Sequence, residues 1–221
     1  MSDFLSAYGH YMFDFDGTLA DSAGDVIACM KRSLALNGQP DAEISPFSIG
    51  PPLDQMFRTV QPELDEAQVR TLVDTYRDLY NSLENPSTRV YSGIPDVLDR
   101  LRARGAGLYV ATNKANSSAV MQLRNLGLGA YFKDVMSADS RLDVLGRKLT
   151  KGEMIRELLE QHAIEPADAA MIGDSAYDME GGRFAGVHTM AVLYGYSHPE
   201  ALLALRPEFT VRSEDWAEYL G

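Results

Sequence analysis

The chain has a single cysteine, Cys29, and a single tryptophan among its 221 residues. One thiol cannot close an internal disulfide, so no disulfide scaffold holds this fold, and the cysteine usage suits a reducing compartment. Cys29 itself reads as a buried helix residue. Basic side chains are also scarce, 20 Lys and Arg against 32 Asp and Glu, for a net charge of -12. Such a surface repels a phosphate backbone, which argues against a nucleic-acid partner unless a local basic patch exists. The nearest thing to one is Arg100, Arg102 and Arg104, alternating with Leu101 and Ala103 at a helix end, where cations suit the dipole anyway. No apolar run approaches the ~20 residues that a membrane span needs. The opening MSDFLSAYGH lacks the basic and apolar regions of a signal peptide. The expectation is a cytoplasmic protein, monomer or homodimer, that engages neither membrane nor nucleic acid. A small anionic substrate remains compatible with the charge where a metal ion and one or two lysines reverse its sign locally.

With 45% hydrophobic residues, the chain can bury one ordinary core and a smaller second one. Its most informative stretch is HYMFDFDGTLADS, His10 to Ser22. The mostly apolar run Tyr11 to Phe15 reads as a strand delivering Asp14 and Asp16 into a turn at Gly17 and Thr18. Residues i and i+2 of a strand share a face, which would set the two carboxylates side by side. Adjacent carboxylates raise one another's pKa unless a bound cation keeps both ionised. The plainer alternative is a strand end whose aspartates cap the next turn.

After Leu19 the period becomes helical. Val26, Ile27, Met30 and Leu34 predict a helix from about Ala23 to Leu36, stopped at Asn37 and Gly38. A Gly-Pro-Pro turn at Gly50 to Pro52 leads into a short helix. A longer stripe follows, with Val69, Leu72, Val73, Tyr76, Leu79, Tyr80 and Leu83 on one face. No strand pattern appears between Asp21 and Asn85, too long a stretch to be a loop, so it predicts a helical insert with a return linker from Asn85 to Tyr91. From Gly93 onward helices alternate with the strands GLYVAT, DVMSA, AAMIGD and VHTMAV and a short edge segment near Phe209 to Val211. That alternation predicts an α/β fold, a Rossmann-like, doubly wound and mainly parallel sheet covered on both faces. The expected division is a core of residues 1–19 and 91–221 with a helical cap of residues 20–90. Ligands of such sheets bind beyond the carboxyl ends of the strands. Asp14 and Asp16, Thr112 and Asn113, and Asp174 fall at that edge.

In combination, DFDGTLADS, ATNK at Ala111 to Lys114, KGEMI at Lys151 to Ile155 and IGDSAYDM at Ile172 to Met179 resemble the four motifs of the haloacid dehalogenase superfamily. The helical insert, IGPPLDQMF and YSGIPDVLDRL are similar to its phosphoglycolate phosphatase-like branch. Ser92 and Ala115 stand where relatives often have proline, and the loop Asp139 to Thr150 lacks the familiar Lys-Pro pair. The resemblance implies a magnesium-dependent phosphatase acting on a small phosphorylated metabolite. Asp14 would be the nucleophile and Asp16 the general acid and base. Thr112 and Lys151 would steady the phosphoryl oxygens, with Lys148 the less favoured alternative, read as a solvated loop charge. Mg2+ would be held by Asp14, the main-chain carbonyl of Asp16 and Asp174. Asp178 would be an outer-shell or water-mediated ligand, or simply an acid at a helix N-terminus. Gly17, Asn113 and Lys114 are candidates for substrate binding, Lys114 alternatively a surface charge. In the insert, the Gly50 to Pro52 turn and Phe57 or Arg58 are candidates for substrate selection, although apolar Met56 and Phe57 read more readily as insert core.

Other chemistries use related residues. Asp16 disfavours a dehalogenase, whose carboxylate attack needs no second acid. A phosphonate-cleaving hydrolase and a sugar phosphomutase stay open; the mutase would use both aspartates yet release little phosphate. A signalling module with a long-lived phospho-aspartate is the alternative of a different class, and a general base beside Asp14 works against it. A scaffold that has lost catalysis would not need all five of Asp14, Asp16, Thr112, Lys151 and Asp174.

Overall fold

The computed structural model describes residues 4–82 and 87–220. In chain order the elements are α1 (Phe4–Ala7), β1 (His10–Phe13), β2 (Ala20–Asp21), α2 (Ala23–Leu36), α3 (Leu53–Val60), α4 (Glu66–Ser82), β3 (Arg89–Val90), α5 (Ile94–Ala103) and β4 (Gly107–Thr112). There follow α6 (Asn116–Asn125), β5 (Asp134–Ser137), α7 (Leu142–Leu145), α8 (Lys151–Gln161), β6 (Ala169–Gly173), α9 (Ala176–Ala185), β7 (His188–Val192), α10 (Pro199–Ala204), β8 (Phe209–Val211) and α11 (Ala217–Leu220).

Six strands form one parallel sheet in the order β5-β4-β1-β6-β7-β8. The strands alternate between two cores. Tyr11, Phe13, Leu108, Val110, Ala170 and Ile172 pack with Ile94, Val97, Leu98 and Leu101 of α5. Met12, Tyr109, Ala111, Ala169 and Met171 pack with Met154, Ile155, Leu158 and Leu159 of α8. Period-2 alternation with both faces apolar is what a sheet covered by helices on each side requires. The chain runs from β1 to β4 and β5 on one side, then returns to β6, β7 and β8 on the other. Strand order thus reverses beside β1, which opens a crevice at the carboxyl ends. Register pairs Phe13 with Val110 and with Ile172, so Asp14, Thr112 and Asp174 leave the sheet at nearly the same height.

Strand β1 stops at Phe13, two residues earlier than the apolar run suggested. The Phe15 carbonyl accepts the main-chain N–H groups of Thr18 at 3.3 Å, Leu19 at 3.0 Å and Ala20 at 3.1 Å, so the chain is already turning at Asp14. Phe15 stays buried, which is why the run looked continuous.

Helices α2, α3 and α4 form a separate apolar cluster from Val26, Met30, Leu34, Met56, Phe57, Val69, Leu72, Val73, Tyr76 and Tyr80, into which Tyr196 of the sheet layer reaches. Leu83 and the start of the return linker at Asn85 lie outside the described residues. What reads as a strand-free linker contains β3, which pairs antiparallel with β2. This two-stranded ribbon ties both crossings between the helices and the sheet, with Arg89 2.8 Å from Asp21. Its two-residue strands are too short to leave a period in the sequence.

Candidate active site

Asp14, Asp174 and Asp178 converge at the crevice, each with one carboxylate oxygen within 4.8 Å of the others. All three are buried. Asp14 accepts from the Phe15 N–H at 2.7 Å. Asp174 accepts from the Tyr196 N–H at 2.7 Å and from the Thr18 hydroxyl at 3.1 Å. Asp178 closes the N-terminus of α9, taking the N–H of Ser175 at 3.0 Å and its hydroxyl at 2.6 Å. Gly17 makes room for this cluster: its φ is +80°, and a Cβ there would lie 2.2 Å from Asp174 Oδ2.

A single ammonium meets two of the three carboxylates. Lys151, the first residue of α8, sends Nζ to Asp14 at 3.1 Å, Asp178 at 2.8 Å and the Ala111 carbonyl at 2.7 Å. A Thr150–Glu153 capping box starts α8 at this point. Gly181 of α9 lets the lysine pass, since a Cβ there would sit 2.8 Å from Lys151 Cγ. Burial works to lower the Lys151 pKa, but Asp14 and Asp178 outweigh it and hold the ammonium above its ordinary value. Burial pushes Asp14 up to about 6, with Asp178 and Asp16 adding to the rise and Lys151 opposing it. Asp174 is raised well above the usual carboxylate range, first by burial and then by Asp178 and Asp14.

Three hard oxygen donors with more negative charge than one lysine neutralises suit a small divalent cation. The raised carboxylates give this a thermal signature. Folded Asp14 keeps its proton up to about pH 6, whereas the unfolded chain releases it near ~3.9. Stability of the metal-free protein therefore falls as pH rises from ~4 through about 6. Chelator-treated protein is expected to melt at a lower temperature at about pH 7.5 than at about pH 5.5, and magnesium to raise the midpoint more at the higher pH. A midpoint indifferent to magnesium at both pH values contradicts a cation site here.

Asp16 stands apart from this cluster. Its carboxylate is taken by Lys114 Nζ at 2.9 and 3.2 Å and by the Ser22 hydroxyl. Strand alternation does not set the two aspartates side by side, because β1 has ended before either of them. Lys114 is not a surface charge: it is buried, donates to the Tyr80 hydroxyl at 3.0 Å and lies 4.3 Å from the Tyr80 ring centre. Burial works against its charge, but Asp16 and Tyr80 hold its pKa above the ordinary lysine value. Thr112 is buried, and its hydroxyl accepts from the Lys114 N–H at 3.2 Å.

These groups border a cleft of about 710 Å³, counting its open mouth, between the sheet edge and helices α2 to α4. Asp14, Asp16, Thr112, Asn113 and Lys114 line it from below, and Val26, Ile49, Gly50, Pro51, Leu53, Met56, Tyr76, Arg77 and Tyr80 from above. The Gly50 to Gln55 segment is gripped from the sheet side. Asn113 donates to the Gly50 carbonyl at 2.8 Å, Lys148 pairs with Asp54, and Tyr177 donates to Gln55 at 2.8 Å. Lys148 is thus no solvated loop charge; it lines the cleft and bridges its two sides.

Arg58 is not among the cleft-lining residues. It closes the last turn of α3 on the exposed side, 3.4 Å from Glu66. Phe57 is fully buried among the helices, and Met56 reaches the cleft. The arginine that lines the cleft is Arg77. Ser22, Tyr196 and Arg77 were not singled out in the sequence. Tyr196 joins the two layers: its N–H holds Asp174, while its hydroxyl takes the N–H groups of Ser22 at 2.6 Å and Ala23 at 2.9 Å at the start of α2.

An open parallel sheet whose switch point gathers buried carboxylates around the Lys151 ammonium is an α/β architecture with the groups of an enzyme active site. The chain belongs to the haloacid dehalogenase-like hydrolase family, whose model matches residues 11–192. It is 34% identical over 209 residues to a 5'-nucleotidase of Pseudomonas aeruginosa, covering 94% of this chain and 92% of that protein. It is 30% identical to a phosphoglycolate phosphatase of Vibrio vulnificus, covering 91% and 90%. A crystal structure of a predicted phosphatase from Clostridium acetobutylicum superposes with a TM-score of 0.84 at 31% identity, covering 95% of this chain and 96% of that one. The family and these relatives place the chain among phosphoric monoester hydrolases.

Proposed function

We propose that the protein is a magnesium-dependent phosphatase that hydrolyses small phosphomonoesters through a phospho-aspartate at Asp14. The observation that carries this is the buried Asp14–Asp174–Asp178 cluster, with Lys151 paired to Asp14 and Asp178, and with Asp14 opening onto the cleft between the sheet edge and helices α2 to α4. Asp14, Asp174 and Asp178 would hold Mg2+. Bound there, such an ion would supply positive charge to offset the cluster and the phosphoryl oxygens.

The residues divide the work. An Asp14 oxygen attacks phosphorus, and the bond from phosphorus to the ester oxygen breaks. Asp16 gives its proton to the departing alkoxide, then takes one from the water that attacks the phospho-aspartate and frees Asp14. Such proton transfer contributes roughly 10²–10⁴-fold. The Lys151 ammonium holds Asp14 in place and, with the Thr112 hydroxyl, opposes charge on the transferring group. Helices α2 to α4 act as a cap that excludes bulk water. The cap grip by Asn113, Lys148 and Tyr177 supports that role.

Phosphate release from a panel of phosphomonoesters, measured on chelator-treated protein with and without added magnesium, tests the reading. Release from at least one ester only in the presence of the metal is expected. A folded, magnesium-loaded protein that releases none, or that only interconverts sugar phosphate isomers, overturns it.

A further inference from the structure

Three cations line the cleft, Arg77, Lys114 and Lys148, with Lys151 next to Asp14, and all but Arg77 meet a carboxylate closely. Lys151 meets two carboxylates at 3.1 and 2.8 Å, Lys114 meets Asp16 at 2.9 Å, and Lys148 is paired with Asp54. Arg77 differs. Its ion pair with Asp139 is long, Nη2 to Oδ2 at 3.9 Å, while Asp139 Oδ1 accepts the Asn116 N–H at 2.9 Å. The Arg77 Nε–H is buried without a hydrogen-bond partner among the described residues. A buried donor left unmade is costly, and an acceptor that enters the cleft recovers that cost.

The surroundings of Arg77 narrow what that acceptor is. On α4 it is flanked by Tyr76 and Tyr80, which stack on each other at 5.4 Å and 15°. Both rings are buried, and the Tyr80 hydroxyl is taken by Lys114. They present little free face on which a planar base could stack. What this part of α4 offers a ligand is the guanidinium, a planar fork that matches the two oxygens of a carboxylate or phosphate.

We propose that Arg77 is a specificity-determining residue whose guanidinium binds an oxyanion on the leaving group of the substrate, in the cleft that Asp14 also lines. The proposal rests on the phosphatase reading above and adds to it a preference for phosphomonoesters that carry a second negative group. A carboxylate and a second phosphate share the required chemistry.

The test compares kcat/KM for 2-phosphoglycolate, 1,3-propanediol bisphosphate, ethyl phosphate and adenosine monophosphate in the wild type, Arg77→Met and Arg77→Lys. The wild type should prefer one of the doubly anionic esters to ethyl phosphate, and which one tells carboxylate from second phosphate. In Arg77→Met that preference ratio should fall about 10- to 100-fold, the worth of a charge-assisted hydrogen bond, chiefly through KM. Arg77→Lys, which keeps the charge and loses the fork, should fall between, and it carries the test if Arg77→Met does not fold. Equal losses on all four esters, or a preference for adenosine monophosphate that Arg77 does not affect, overturn the proposal. If no ester is hydrolysed, the phosphatase reading falls separately. The same 2-phosphoglycolate and ethyl phosphate are then titrated calorimetrically into wild type and Arg77→Met. Selective weakening for 2-phosphoglycolate upholds the anchor; equal affinities, or no binding, overturn it.

Discussion

Asp14→Asn is expected to lower phosphate release at least ~10⁴-fold while leaving the protein folded. The amide keeps the shape of the carboxylate and an oxygen to accept from the Phe15 N–H and Lys151, so the local hydrogen bonds survive. It cannot supply the anionic oxygen that attacks phosphorus, and no neighbouring carboxylate is placed to replace it: Asp174 is held by Tyr196 and Thr18, and Asp178 caps α9. Relieving one buried negative charge should also leave the metal-free melting temperature no lower than that of the wild type and shrink the rise that magnesium produces. Steady-state kinetics and thermal melts on the same preparation check both halves. Residual turnover within about tenfold of wild type would place the nucleophile elsewhere.

Lys151→Met carries the largest expected effect on stability. Methionine is close to lysine in length but leaves Asp14 and Asp178 buried without their counter-charge. Removing one partner of a buried ion pair typically costs about 3–5 kcal/mol. Loss of the ammonium opposite the transferring phosphoryl group should lower kcat by roughly 10²–10³-fold as well. The stability deficit has a direction in pH: lowering the pH protonates the carboxylates, so the gap between variant and wild type should narrow toward acid, and magnesium should narrow it too. Lys151→Arg should not restore activity, because a planar guanidinium does not reproduce the one nitrogen that meets Asp14, Asp178 and the Ala111 carbonyl at 2.7–3.1 Å. Urea unfolding at two pH values, with and without the metal, reads all of this. A variant as stable as wild type at neutral pH without metal contradicts the role given to Lys151.

The alternation of strands and helices, and the edge at which Asp14, Thr112 and Asp174 emerge, could be read from periodicity because each depends on neighbours two to four residues apart. What the sequence hid depends on distant partners. Lys114 reads equally as a substrate-binding group or a surface lysine, and its pairing with Asp16, 98 residues away, leaves no mark in the sequence. Lys148 reads as a loop charge until Asp54 closes over the cleft. Phe13 and Phe15 look alike in a hydrophobic run, yet the strand ends between them, so the turn and not strand alternation places the two aspartates. Arg58 attracted attention because it follows the Gly-Pro-Pro turn, but the turn aims Met56, not Arg58, at the cleft. Arg77 did leave a signal. It sits four residues after Val73 and three before Tyr80, at the edge of the apolar stripe of α4, where a long cationic side chain can turn toward the cleft.

The central claim is that Asp14 forms a covalent bond to phosphorus. Acid quenching of the wild type during turnover of a phosphomonoester, followed by mass analysis of its peptides, measures that bond directly. The account predicts the added mass of one HPO3 on Asp14, present with magnesium, absent after chelation and absent in Asp14→Asn. Sustained phosphate release with Asp14 unmodified at every quench time, and undiminished in Asp14→Asn, would contradict it.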